Sequence, residues 1–344
     1  MPTDVHAPER RRMWIHIGLH KTGTTYLQNI LFANRQWLED CGFYLPLSGL
    51  ARNKSKHDDA SAGHAQLTRW LKRPESERFV EIERALMAEL EATRCSNVLL
   101  TSETFSAPHN RRIIDTIRQK FAAGFNIRII VYLRRQDHWV ESFYKEILGW
   151  AGRRETRSLE QFVADEGAEL LDYRKRLNPW IKAFGATSVI VKSYEDASAG
   201  NGLLTDFLDT LEITASSRPA DFTRPINHSI DPGWVDLLRA MNGIESLDKA
   251  TKAAITKTLV NASSEKAHGY KTLLTPVLWQ QLSDTYRPKN IRLRDTLVQG
   301  LSEGLAFPAE RPTVEQAMPY IDYENAVSLL QGLVSNDRID GARE

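Results

Sequence analysis

The segment Ile15-His16-Ile17-Gly18-Leu19-His20-Lys21-Thr22-Gly23-Thr24-Thr25-Tyr26-Leu27 leaves this chain few folds to choose from. A β-branched apolar run enters a turn that holds two glycines, and a helical pattern starts at once on the far side. The start of such a helix exposes backbone N–H groups that have no intrahelical acceptor, together with a partial positive charge. Gly18 and Gly23 let the backbone curl without a Cβ in the way. Thr24 and Thr25 bring hydroxyl donors, and Lys21 brings a full charge. The segment therefore reads as an anion cradle between a strand and a helix. It departs from the nucleoside-triphosphatase pattern G-x-x-x-x-G-K-[ST], because Thr24 stands where the lysine belongs and the lysine has moved to Lys21. No aspartate at a strand end has a clear claim on Mg²⁺. Both departures argue against ATP hydrolysis.

Three more apolar runs, Val98–Thr101, Ile127–Leu133 and Ser188–Val191, join Met13–Ile17 as candidate buried strands. Helical patterns over Thr24–Glu39, 76–93, 109–121 and 137–150 separate them. Strands that alternate with helices predict βαβ units. The expected fold class is α/β, a three-layer arrangement of phosphate-loop type with a central parallel sheet flanked by helices. Beyond Glu195 the pattern turns helical, with no clear strand and with breaks expected at Pro219, Pro225, Pro276 and Pro288. The 344 residues are read as one enlarged domain, 1–344, with a nucleotide-binding core over 13–195 and a helical part over 196–344 that completes the fold. The polar stretch 46–64, with Asn53–Asp59 at its centre, reads as a surface insertion or a substrate loop.

The formal net charge is +1, from 45 basic and 44 acidic residues. No global field favours nucleic acid or an anionic membrane, so an anion has to be held by a local cluster. Cys41 and Cys95 form no metal-ligand spacing and fit a reducing compartment. No run approaches the ~20 apolar residues of a membrane helix, and charges interrupt the N-terminus before a signal peptide could form. The expectation is a cytoplasmic protein with no integral membrane segment, no nucleic-acid partner and no metal site.

The third strand run ends in Leu133-Arg134, and ligands of open α/β sheets bind outside the carboxyl ends of their strands. Ser142 follows eight residues later in the next helical pattern. An arginine fork and a serine hydroxyl can clamp one phosphate from two directions. With both motifs in place, the sequence resembles the sulfotransferase family that uses 3′-phosphoadenosine 5′-phosphosulfate. Lys21-Thr22-Gly23-Thr24-Thr25 is similar to that family's 5′-phosphosulfate loop, and Leu133-Arg134 with Ser142 to its 3′-phosphate site. Tyr173–Trp180, Phe184-Gly185, Val189–Val191 and Tyr194-Glu195 resemble the helix and strand that follow, and Asn227-His228-Ser229 a polar segment of bacterial-type members. The likeness covers residues 13 to 195 well and the remainder poorly. It implies Gly18, Lys21, Thr22, Gly23, Thr24, Thr25, Arg134 and Ser142 as cofactor contacts. It also implies metal-independent transfer of a sulfuryl group, with Lys21 stabilising the leaving phosphate.

An acceptor hydroxyl needs a proton acceptor nearby. Glu103 follows the second strand run, at the sheet's carboxyl edge, and carbohydrate-directed relatives use a glutamate in a comparable place. His20, beside Lys21, competes for the role. Tyr194 and the basic stretch Arg287-Pro288-Lys289-Asn290 are candidates for the adenine side. The acceptor class that the resemblance favours is a carbohydrate or glycolipid, with other small molecules or a peptide as alternatives. Two further readings stay open. One is a small-molecule kinase with an aberrant loop. The other is a non-catalytic module that keeps the cofactor site.

Overall fold

The computed structural model describes residues 10–50, 63–107, 110–150, 152–200, 202–213, 230–264, 271–297 and 303–340. Asn53–Asp59 of the polar stretch and Asn227-His228-Ser229 lie outside them.

The elements run in the order β1 (Arg11–Ile17), α1 (Thr24–Ala33), α2 (Arg35–Asp40), β2 (Phe43–Tyr44), α3 (Ala65–Leu71), α4 (Glu77–Ala92), β3 (Asn97–Ser102), α5 (Arg111–Phe121), β4 (Phe125–Leu133), α6 (Gln136–Gly149), α7 (Leu159–Leu170), α8 (Tyr173–Phe184), β5 (Val189–Ser193), α9 (Tyr194–Ala199), α10 (Leu203–Thr210), α11 (Val235–Gly243), α12 (Lys249–Ser264), β6 (Lys271–Thr272), α13 (Pro276–Thr296), β7 (Glu315–Gln316) and α14 (Tyr323–Asp340). Local chemistry accounts for the boundaries. In α4 the buried residues Phe79, Ile82, Leu86 and Leu90 recur at helical spacing, and the Ser76 hydroxyl accepts the Phe79 N–H at the start. The helix expected over Thr24–Glu39 divides at Asn34, whose side-chain Nδ2 donates to the Ile30 carbonyl at 2.9 Å and closes α1. Pro276 opens α13, where its missing N–H is no loss, and Pro288 lies within that helix instead of ending it.

The chain forms two compact units that alternate along the sequence. The first takes Met1–Arg135, Asp172–Arg224 and Pro288–Ala306. Its centre is a parallel sheet in the order β2-β3-β1-β4-β5, with helices on its faces, which makes the fold a three-layer α/β one. Alternate residues of β1 serve opposite faces. Trp14 packs with Leu27, Leu31, Leu99, Ile130 and Phe207, while Ile17 shares the other face with Val131, Leu133, Leu177 and Trp180. Ile17 pairs with Ser102, and Leu133 with Ser193. This register brings the carboxyl ends of β1, β3, β4 and β5 to one edge, where Gly18, Glu103, Arg134 and Tyr194 leave the sheet.

The second unit takes Gln136–Leu171, Pro225–Arg287 and Phe307–Glu344. Trp139 stacks on Phe143 with ring centroids 4.7 Å apart, and Phe143 and Tyr144 meet Phe162 of α7. Several buried polar groups here are matched. Asp137 accepts from Trp279 Nε1 at 3.0 Å, and Glu141 accepts from the Thr272 hydroxyl at 2.6 Å. The Glu155 carboxylate accepts from Arg157 Nε at 2.8 Å and Nη2 at 2.6 Å, and Glu166 accepts from Arg153 and Arg157. Strands β6 and β7 form a short parallel ladder beyond residue 195, where the sequence shows no strand pattern. Two residues per strand are too few to display a period of two.

Candidate functional site

The turn from β1 to α1 has the backbone of a cradle. Lys21 and Gly23 both take the left-handed conformation, with φ of 63° and 72°. For Lys21 this costs about 1–2 kcal/mol relative to ordinary backbone, and strain of this kind collects at functional sites. Neither glycine can be replaced freely. A Cβ on Gly18 would stand 2.5 Å from Thr24 Cγ2, and one on Gly23 would stand 2.4 Å from Leu203 Cδ2. Gly23, the N-cap of α1, has no side-chain oxygen to accept the first-turn amides, so they are left uncapped.

The side chains divide between bracing this turn and facing out of it. The hydroxyls of Thr22 and Thr24 both donate to the Leu19 carbonyl, at 2.7 and 3.2 Å, and hold the turn closed. The Ser106 hydroxyl donates to the Gly18 carbonyl at 2.5 Å, and Arg176 donates to the Ser106 carbonyl. Lys21 and Thr25 are half-buried. Among the described residues, the Lys21 ammonium has no ion-pair or hydrogen-bond partner, nor does the Thr25 hydroxyl. A fixed positive group without a counter-charge, beside uncapped amides, is what an oxyanion needs.

Arg134 emerges from β4 next to this turn. Its Nη1 donates to the Lys21 carbonyl at 3.3 Å, and its guanidinium carbon lies 5.3 Å from the centre of the Tyr194 ring. The Arg134 Nε faces Glu195 Oε1 at 3.7 Å, and the same carboxylate accepts the Arg135 N–H. The sequence raises Arg134 as a phosphate ligand, and the structure adds a tie to the loop that no local pattern announces. Ser142, its partner by sequence, is half-buried on α6 in the second unit. In the basic stretch, Lys289 pairs with Asp172 at 2.9 Å and Asn290 donates to the Leu305 carbonyl. Arg287, in the second unit, donates to the Pro308 carbonyl. Tyr194, the other adenine candidate, lies near the loop, 3.4 Å from where a Cβ on Gly23 would stand.

The two competing proton acceptors stand together. His20 Nδ1 lies 3.0 Å from Glu103 Oε2, and both side chains are partly exposed. They are 83 residues apart, and the parallel register of β1 with β3 joins them, because Glu103 directly follows Ser102, the partner of Ile17. The signal available in sequence was that both follow the ends of strands; only the pairing of those strands makes them neighbours.

Two more histidines lie beneath this edge. The Thr101 hydroxyl and His16 Nδ1 share a hydrogen bond of 2.9 Å, and the Thr101 N–H donates to His64 Nδ1 at 3.1 Å. His64 Nε2 then donates to the Pro46 carbonyl at 3.0 Å. Burial pushes His16 down to about 3. Burial also holds His64 at about 4, against the opposing pull of the Pro46 and Thr101 backbone groups. Both are neutral at physiological pH and belong to the scaffold.

Among the described residues, no three His, Cys, Asp or Glu side chains gather as a metal site would require. No helix among them is long and apolar enough to cross a membrane.

No protein-family model matches the chain. Two solved structures to which it is similar are sulfotransferases. The crystal structure of a sulfotransferase from Alicyclobacillus acidocaldarius matches with a TM-score of 0.41 at 15% identity, covering 73% of this chain and 96% of that one. The sulfotransferase domain from the curacin biosynthetic pathway matches with a TM-score of 0.38 at 13% identity, covering 80% and 97%. Among curated proteins, an uncharacterized protein of Archaeoglobus fulgidus is 25% identical over 200 residues, 57% of this chain and 52% of its own length. The chain thus spans about half the length of the curated relative it matches. These likenesses are distant, and the chemistry stands on the residues themselves.

Proposed function

We propose that the chain is a sulfotransferase that moves a sulfuryl group from 3′-phosphoadenosine 5′-phosphosulfate to a hydroxyl or amine of an acceptor. The observation that carries this reading is Lys21. A lysine held in left-handed backbone, without a counter-ion among the described residues, beside an uncapped helix start, is a receptor for a doubly substituted anionic group. A Cβ at position 18 or 23 would collide with Thr24 or Leu203, so this turn keeps its shape only with glycine at both. Arg134 supplies a second cationic position for the 3′-phosphate, and Ser142 is its proposed companion.

When bound, the donor supplies a sulfuryl group whose sulfur–oxygen bond to the 5′-phosphate breaks as the acceptor oxygen or nitrogen bonds to sulfur. The chain's own residues do the rest. Lys21 and the first-turn amides of α1 take up the charge that grows on the departing phosphate oxygen. Glu103 fixes the Nδ1–H of His20, so that in the neutral ring the lone pair lies on Nε2, which accepts the acceptor's proton. This makes one proton-accepting pair of the two candidates, in which Glu103 orients and His20 receives. A carbohydrate or glycolipid is the proposed acceptor class.

Thermal unfolding with adenosine 3′,5′-bisphosphate, and separately with ATP and Mg²⁺, tests the donor assignment. A ligand at a hundred times its Kd stabilises the folded state by about 2.7 kcal/mol. The bisphosphate should raise Tm and ATP should not. The opposite result makes the chain a kinase. Bisphosphate binding with no transfer of labelled sulfate to a panel of hydroxyl and amine acceptors makes it a binding module.

A further inference from the structure

We infer that Arg134 does two jobs: besides meeting the 3′-phosphate it is a strut that fixes the conformation of the 5′ loop. The inference rests on the donor reading above. A left-handed backbone at a lysine relaxes to ordinary φ unless something holds it. Among the described residues, one side chain from outside the loop holds the peptide group of Lys21, that of Arg134, whose Nη1 donates to its carbonyl. The strut is itself fixed on two further sides. The Tyr194 ring lies against the guanidinium, and the Glu195 carboxylate faces its Nε while binding the Arg135 N–H. Tyr194 and Glu195 open α9 directly after β5, and Arg134 directly follows β4, the neighbouring strand. Strand pairing thus sets the strut, and the strut sets Lys21.

The loop grips its anion through main-chain amides and one ammonium, so a change in Lys21 φ moves those donors together. Arg134 should then influence the grip on a 5′-phosphate even when the ligand has no 3′-phosphate to touch. A guanidinium presents several donors in a rigid fork, whereas a lysine ammonium keeps the charge but not the geometry. The two functions of Arg134 are therefore separable.

The experiment is calorimetric titration of wild type, Arg134→Ala and Arg134→Lys with adenosine 3′,5′-bisphosphate and with adenosine 5′-phosphate. For the strut, both variants lose about tenfold or more in affinity for adenosine 5′-phosphate, the range of a hydrogen bond from a charged donor. Arg134→Lys regains part of the bisphosphate affinity through its charge and none of the monophosphate affinity. A plain 3′-phosphate ligand predicts instead that both variants bind adenosine 5′-phosphate as wild type does, and that result overturns the strut. If Arg134→Ala does not fold, as its melting curve would show, the monophosphate affinity of Arg134→Lys decides alone. Wild type that binds neither nucleotide removes the donor reading and the strut with it, an outcome distinct from wild type that binds both while the variants keep the monophosphate.

Discussion

Two charged sites, one in each unit, are built in opposite ways. In the second, Glu155 is almost fully buried and surrounded by Arg153 and Arg157, and Glu166 and Asp165 complete the set. Burial pushes the Glu155 carboxyl up, and the hydrogen bonds and charge of Arg157 and Arg153 more than offset this and hold it down at about 2. In the first unit, Lys21 sits in strained backbone and its ammonium has no partner among the described residues. A matched network locks a fold, and removing one member leaves a buried charge alone. A cation without such a partner is the group that the proposed donor site calls for. The contrast teaches where to expect loss of stability and where to expect loss of chemistry.

The largest effect that would sharpen this contrast is at Lys21. Lys21→Ala should lower transfer by about a thousandfold, as removal of a main transition-state donor does, and should leave the melting temperature nearly unchanged. A variant that melts early would instead make Lys21 a structural residue. His20→Ala and Glu103→Gln should each lower turnover by about 10²–10⁴-fold, the range for general-base catalysis. Because they form one pair, the double variant should be little worse than the poorer single one; losses that multiply would separate their roles. In the second unit the expectation reverses. Glu155→Ala should destabilise by about 1–3 kcal/mol in chemical denaturation, since it removes a buried acceptor while Glu166 and Asp165 still pair with the arginines, with bisphosphate affinity kept.

Acid gives the smallest and most graded comparison. His16 and His64 have folded values of about 3 and about 4, below the ordinary 6.5. Below pH 6.5 the unfolded chain takes up protons that the folded one refuses. Stability is therefore full above that pH and falls as the pH drops toward those values, by about 1.4 kcal/mol per pH unit for each ring. For Glu155 the folded value is about 2 against an ordinary 4.5, so its contribution is intact above 4.5 and fades as the pH falls through 2. Amide exchange between pH 7 and 5 should show the first unit loosening while the Glu155 region holds. His64→Gln should flatten that slope, and an unchanged slope would remove His64 from the account.

Much of this was legible beforehand. The runs Met13–Ile17, Val98–Thr101, Ile127–Leu133 and Ser188–Val191 fall within or against β1, β3, β4 and β5, because fully buried strands advertise themselves as continuous apolar segments. The edge strand Phe43–Tyr44 left no such trace, since two residues set no period. The turn was legible because its glycines, lysine and threonines are consecutive. The tie from Arg134 to Lys21 and the pairing of His20 with Glu103 were not, because each is made by strand register between residues 113 and 83 positions apart. The sequence offers the hydroxyls of Thr24 and Thr25 as donors; in the structure Thr24, together with Thr22, gives its proton to the Leu19 carbonyl. A threonine's choice between its own backbone and a ligand is a matter of ångströms that composition does not carry.

Leu203, the first residue of α10, presses its Cδ2 into the space that a side chain at position 23 would occupy. An aliphatic side chain with no polar atom thereby becomes the anvil on which the turn after β1 is shaped. On the proposed donor reading, a methyl more or less at Leu203 should change bisphosphate affinity through the shape of the turn.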